Sequence, residues 1–355
     1  MLVVNIIENE NKLSTTVDKL LFLSLLFNLG EKTPKNNWKK IDKNMMVHHS
    51  ETLMLDIPTT NCLRGLSILI IVIFHVILYY GISPFFNLPG SVAVAVFLFL
   101  SGYGVYESWK KHGMRHFWLK KFRRIILPYY ILLLVKSVVT GQFQWQDMLL
   151  DMTFIHSSYW FIEYIVRCYF VFWVARKFFP RKSYTVFIIF GLLSLNLFMQ
   201  LEAEQSFSFF AGMLVSDNIE KIHHFDQKKL SRIFLCSFAI GLFFYLFKAI
   251  PVIHQYKGTL PYHYILLFIK LPLAICCILL PYYFTQLSHS GILHKVGKCS
   301  LELYLVHMAF LPYLSQGLKG MLWFTLLTAL FTIIFYLLDT RVIPKLVPIS
   351  DHSAS

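Results

Sequence analysis

The sequence predicts an all-α, polytopic integral membrane protein with about ten transmembrane helices and both ends cytoplasmic. Composition is the first reason: of 355 residues 56% are hydrophobic and only 15% charged, at a mean hydropathy of +0.58. A water-soluble domain of this size cannot cover so much apolar side chain. Soluble enzymes, nucleic-acid-binding proteins and disordered scaffolds are poor readings on that ground. The second reason is a series of apolar runs of spanning length. The third is the alternation of Lys and Arg between the loops that join them.

Residues 1–53 stand outside the pattern. They are polar and rich in Asn and Lys, and their one apolar stretch, Leu20–Phe27, is too short to span. Glu8 and Glu10 stand where a signal peptide wants a basic start, so the segment reads as a disordered extension or a misassigned start. Met45, Met46 and Met54 are the alternative initiators. The membrane domain occupies 54–345, and 346–355 is a C-terminal tail.

The first run, 65–82, leads outward and the second, 91–107, returns. The loop after it holds Lys110, Lys111, Arg115, Lys120, Lys121, Arg123 and Arg124, which marks it as cytoplasmic. Runs 124–140 and 159–176 form the next pair and end on Arg176, Lys177, Arg181 and Lys182. Runs 184–201 and 205–216 precede Lys221, Lys228, Lys229 and Arg232; the second of these is short. Runs 231–248 and 264–284 come back to Lys295 and Lys298, and runs 299–316 and 321–338 finish before Arg341 and Lys345. Nineteen basic residues thus fall on one side against Lys248, Lys257 and Lys319 on the other. A miscounted span would scramble that alternation. The six cysteines lie mostly inside apolar runs with no CxxC spacing, and read as reduced packing residues, neither a disulfide frame nor a zinc site.

Ionisable groups inside a bilayer are costly, so each is a functional candidate. Arg64 and His75 are eleven residues apart at the start of the first run. That spacing is three turns plus about 20°, so both lie on one stripe about 16 Å apart along the axis. A histidine near mid-membrane can take a proton from a hydroxyl, or can be a core residue bonded to a neighbouring helix. Glu163 and Arg167 are spaced to neutralise each other across one turn, or to meet a polar substrate. Ser101-Gly102 reads as a close-packing pair before a nucleophile. Trp160 reads as an interface aromatic, with sugar stacking the alternative. His307 is a second proton-handling group or a packing residue.

Five segments, in order, carry a resemblance. Arg64 and His75 open it. Phe97-Leu98-Phe99-Leu100-Ser101-Gly102-Tyr103 follows, then Lys120-Lys121-Phe122-Arg123-Arg124-Ile125-Ile126-Leu127-Pro128-Tyr129. Tyr159-Trp160-Phe161-Ile162 comes next, and Val296-Gly297-Lys298-Cys299-Ser300-Leu301-Glu302-Leu303-Tyr304-Leu305-Val306-His307 closes the series. Together, over about residues 60–340, they resemble membrane acyltransferase family 3, the integral-membrane O-acyltransferases of bacterial surface glycans. The resemblance implies a bacterial inner-membrane enzyme that takes an acyl group, acetyl above all, from acyl-coenzyme A as donor substrate. The acceptor it implies is a hydroxyl of a glycan or lipid-linked saccharide. It assigns His75 as general base and Arg64, Lys121, Arg123 and Arg124 to the donor, with Trp160, Glu163, Tyr304 and His307 as acceptor-binding or positioning residues. Where the family commonly has RxxR, this chain has Lys121 and Arg124, and a lysine offers a point charge in place of a fork. The rival reading is a glycan or lipid transporter, but no pair of Gly/Pro-broken helices recurs in the two halves.

Overall fold

The computed structural model describes residues 55–81, 87–140, 145–154 and 159–349, and among them every regular element is helical. Residues 1–53 and the end of the C-terminal tail lie outside the described residues. The main helices are α1 (Ile57–Tyr79), α2 (Asn87–His112), α3 (Leu127–Thr140), α4 (Trp145–Thr153), α5 (Trp160–Phe178) and α6 (Ser183–Leu197). They continue with α7 (Ser208–Asp217), α8 (Gln227–Ala249), α9 (Leu260–Tyr283), α10 (Gly291–Lys298), α11 (Ser300–Phe310) and α12 (Gly317–Leu337). Each apolar run overlaps a helix, but 184–201 is broken after Leu197 and 205–216 holds only the ten-residue α7; five helical stretches, 57–79, 88–112, 227–249, 260–283 and 300–346, are long and apolar enough to cross a membrane. Exposed Ile189 and Leu193 on α6, Phe243 and Leu246 on α8, and Leu326 and Ile333 on α12 give these helices outer faces suited to lipid.

Side-chain contacts gather the basic loops at one end of the bundle. Arg176 stacks over Tyr106 and Trp109, at 4.7 and 4.3 Å from the ring centroids. Lys110 donates to the Ser216 carbonyl at 2.9 Å, and Arg124 to the Lys298 carbonyl at 3.1 Å. At the opposite end the Gln205 side chain donates to the Ser91 carbonyl at 3.0 Å, and Tyr80 to the Leu314 carbonyl at 3.2 Å. The helices therefore alternate in direction as the loop charges predict.

Helix α1 begins well before the apolar run does. Asp56 caps it, accepting from the Thr59 N–H at 2.8 Å, with a proline in the first turn. Those extra turns are polar, yet Thr59, Thr60 and Asn61 are buried, because α10 lies against them. The approach is backbone to backbone: a Cβ on Gly297 would stand 1.8 Å from the Asn61 carbonyl oxygen. Arg64 is thereby held inside the bundle, past the second turn of α1. Gly102 on α2 and Gly212 on α7 make a second contact of this kind. A Cβ on either would fall 1.9 Å from the carbonyl oxygen of Phe209 or Phe99. This is the close-packing role read for Ser101-Gly102, and the Ser101 hydroxyl is turned back onto the Phe97 carbonyl at 2.8 Å.

The stretch between α3 and α5 departs from a plain outer loop. Helix α4 folds back onto α3, where Tyr129 and Tyr130 donate to the carbonyls of Asp151 and Met152 at 3.2 and 2.9 Å. Arg167 reaches the Phe154 carbonyl at 3.3 Å. Backbone that returns into a bundle must have its carbonyls satisfied by protein, and these three side chains do so. Helix α5 consequently starts inside the protein. Tyr159 is buried between the rings of Tyr129 and Tyr304, at 5.5 and 6.4 Å. Trp160, expected at the outer interface, packs edge-on against Phe161 at 6.2 Å, at this buried start of α5.

Candidate active site

A cavity of about 540 Å³ opens at the basic end, in the range of small-molecule sites. Four helices present one stripe each. Arg64, Ile68 and Ile71 come from α1, Phe97, Ser101 and Gly104 from α2, Phe161, Ile165 and Tyr169 from α5, and Ser300, Leu301 and Tyr304 from α11. On α1, α2 and α5 the spacings are three and four residues, those of a single helix face, and on α11 Ser300 and Tyr304 are four apart. The mouth is basic, with Arg64, Lys120, Lys121, Arg124 and Lys298, and the inner end is apolar and aromatic.

The cations are held in different ways. Arg64 lies 3.3 Å from the Asn61 side-chain oxygen, and its guanidinium lies beside Gly104. Lys121 ends the short helix Phe117–Lys121 that approaches α3, and its ammonium stands 3.9 Å from the centroid of the Tyr169 ring. Burial in the cavity wall lowers the Lys121 pKa to about 7, and the positive charges of Arg64 and Lys120 push in the same direction. An anion in the mouth would reverse that pressure. Arg124 is engaged by carboxylates. It donates to Glu302 at 2.8 Å and pairs with Asp339, and both acids are buried. Arg123 is half-buried and does not line the cavity.

One turn beyond the inner end, α1 and α11 bring two histidines together. His307 is fully buried, and its Nδ1 lies 2.9 Å from the Leu303 carbonyl oxygen. A carbonyl only accepts, so Nδ1 carries the proton and Nε2 of the neutral ring is an acceptor. His75 Nδ1 stands 3.0 Å from that Nε2 and must be the donor. In the neutral pair the contact therefore fixes a tautomer: His75 keeps its proton on Nδ1, and its Nε2 is an acceptor. The Tyr304 ring packs edge-on against His307 at 5.7 Å, linking the pair to the cavity end.

Glu163 is paired with Arg167 one turn away, and Arg167 also donates to Glu202 at 3.1 Å. The two acids are almost wholly buried, so this network ties α5 to the turn at Gln200–Ala203. The cavity thus brings together Arg64, Lys121, Arg124 and Tyr304, with His75 and His307 above it. Arg123, Trp160 and Glu163 stand apart. Sequence reasoning missed Glu302 and Asp339 as partners of Arg124, and the buried pair of Lys270 with Glu204. Glu302 had a signal, being an acid within an apolar helix and inside a quoted motif. Lys270 had the same signal in the run 264–284.

A multi-pass helical membrane protein with a basic cavity mouth and a histidine pair at its head defines a class of membrane enzyme. A family model described as an acyltransferase domain matches residues 58–340. The chain belongs to acyltransferase family 3 and is an acyltransferase of groups other than aminoacyl groups. No curated protein and no solved structure matches it.

Proposed function

We propose that the chain is a bacterial inner-membrane O-acyltransferase that moves an acyl group, acetyl above all, from acyl-coenzyme A to a hydroxyl of a cell-envelope glycan or lipid-linked saccharide. The observation that carries this is the continuity of one cavity from Arg64, Lys121 and Arg124 at the basic end to Tyr304, one turn below the His75–His307 pair. The basic end is the cytoplasmic one by the positive-inside rule, and it is where the donor resides. Donor phosphates meet the cations at the mouth. The pantetheine arm lies along Ile68 and Ile165, and the thioester reaches the inner end. His75 Nε2 takes the proton of the acceptor hydroxyl as its oxygen attacks the thioester carbon. The C–S bond then breaks, and the imidazolium returns the proton to the leaving thiolate. His307 holds the attacking tautomer throughout.

The test is acyl transfer by the purified protein in nanodiscs, with labelled acetyl-coenzyme A and a panel of envelope saccharides. His75→Ala is expected to lose about 10²–10⁴-fold in rate while remaining folded and inserted. Full transfer by that variant would remove His75 as base. Movement of a saccharide across proteoliposomes without donor consumption would favour the transporter reading.

A further inference from the structure

Among the described residues, Tyr304 is the one polar side chain at the inner end of the cavity that the base mechanism leaves without a task. It is 7% exposed and forms part of the cavity wall. Its ring is fixed on three sides, by Phe161 at 5.2 Å, Tyr159 at 6.4 Å and His307 at 5.7 Å. Its hydroxyl has no hydrogen-bond acceptor among the described residues. Beside it stands the N-terminus of α5, a helix of 19 residues whose first-turn Phe161 packs against the Tyr304 ring. A buried O–H with nothing to donate to is costly unless a ligand supplies the acceptor. Here the positive end of a helix dipole lies beside that ring and favours negative charge near it.

We infer that Tyr304 is the oxyanion donor of the acyl transfer, its O–H hydrogen-bonded to the thioester carbonyl oxygen. The inference rests on the donor reading above and assigns a second catalytic group to it. When the acceptor oxygen bonds to the thioester carbon, the C=O π pair moves onto the carbonyl oxygen, and the hydroxyl proton passes to His75 Nε2. Tyr304 donates to the resulting oxyanion without giving up its own proton. On collapse the pair returns to re-form C=O, the C–S bond breaks, and the thiolate takes the proton from His75. The division of labour follows the fold: α1 supplies the base, and α11 supplies both its orienter, His307, and, one turn earlier, the oxyanion donor. Donors of this kind act in a dry, preorganised site, and removing one typically costs about 10²–10³-fold in kcat.

Tyr304→Phe deletes only the O–H and keeps the ring that packs on Phe161 and His307. It is expected to lose about 10²–10³-fold in kcat, with KM for acetyl-coenzyme A and the thermal midpoint unchanged. A second readout needs no acceptor. Acetyl-coenzyme A carrying ¹³C at the carbonyl, bound to the wild-type protein in nanodiscs, is expected to show its thioester C=O band shifted to lower frequency. That shift is lost in Tyr304→Phe. Wild-type binding of the donor with no band shift, or a variant that keeps both shift and kcat, overturns the oxyanion role and leaves the donor reading standing. A fall in donor affinity equal to the fall in rate makes Tyr304 a binding residue and also overturns it. No binding of acetyl-coenzyme A by the wild type sinks the donor reading itself.

Discussion

Arg124 on the approach to α3 donates to Glu302 on α11 at 2.8 Å, and Glu302 is completely buried. With Asp339, which pairs with the same guanidinium, it makes a three-charge junction at the mouth of the cavity. Two buried carboxylates facing one arginine explain why that arginine is needed whether or not donor is present. Its role as a junction precedes any role as a phosphate ligand.

Arg124→Ala should therefore lower stability, since it leaves two buried acids uncompensated. Breaking a fully buried pair costs about 3–5 kcal/mol, and the partial exposure of Arg124 reduces this to about 2–3 kcal/mol. Thermal unfolding in detergent measures it. The double variant Arg124→Ala with Glu302→Gln should recover part of the loss, and a variant as stable as wild type would show that the junction contributes nothing.

The histidine contact makes a different prediction. His307→Phe keeps the ring and its packing against Tyr304 but removes the acceptor for His75 Nδ1–H. His75 then samples both tautomers and orientations, so kcat should fall by about 10–10²-fold, less than the loss of about 10²–10⁴-fold expected on removing the base. KM for the donor should hold. Single-substrate kinetics on the purified variant decides this, and an unchanged kcat would make the contact a packing feature.

Much of this was readable from the chain, and the reasons are physical. A bilayer demands long apolar runs and sorts Lys and Arg by side, so the span pattern and the alternation of ends follow from the sequence, as Lys110, Arg176 and Lys298 illustrate. The stripe of Arg64 and His75 was likewise legible, because both sit on one helix with a fixed period. What pairs with them was not. The partner of His75 lies 232 residues away, and that of Arg124 is 178 residues away. The return of α4 onto Tyr129 leaves no hydropathy signal, because its carbonyls are satisfied by side chains that look like ordinary interface tyrosines. The start of α1 at Ile57 was hidden for a related reason: its polar first turns are buried by the backbone of α10 rather than by apolar side chains.

The glycine contacts carry a prediction of their own. Gly102→Ala puts a methyl 1.9 Å from the Phe209 carbonyl oxygen, a separation no backbone tolerates, so α2 and α7 must part. Overpacking of this kind costs about 1–3 kcal/mol. The thermal midpoint should fall, and membrane yield with it. Gly113→Ala makes a control of the opposite kind, since nothing lies within 4 Å of the added Cβ and only the positive φ of 58° would strain the alanine. An unaffected Gly102→Ala would disprove the tight α2–α7 contact.

The last prediction concerns pH at the cavity mouth. Lys121 without donor has its pKa lowered to about 7 by burial, aided by Arg64 and Lys120. The charges acting on it are Arg64 and Lys120, its ammonium stands 3.9 and 5.6 Å from the Tyr169 and Phe117 rings, and among the described residues it has no ion-pair partner to hold the proton. In the proposed donor complex a phosphate would supply negative charge and raise the pKa of the bound form. Binding is then linked to proton uptake: affinity is full below pH 7 and declines as pH rises through the free-state pKa, until the bound-state pKa is reached. The KM for acyl-coenzyme A should accordingly rise between pH 7 and 9, by at most about tenfold per unit for one linked proton. Lys121→Arg should flatten that dependence, because a guanidinium stays charged throughout, and its fork should hold or improve donor use at pH 8. Steady-state kinetics across the range on both proteins measures it. If wild type and variant show the same rise, Lys121 does not meet the donor.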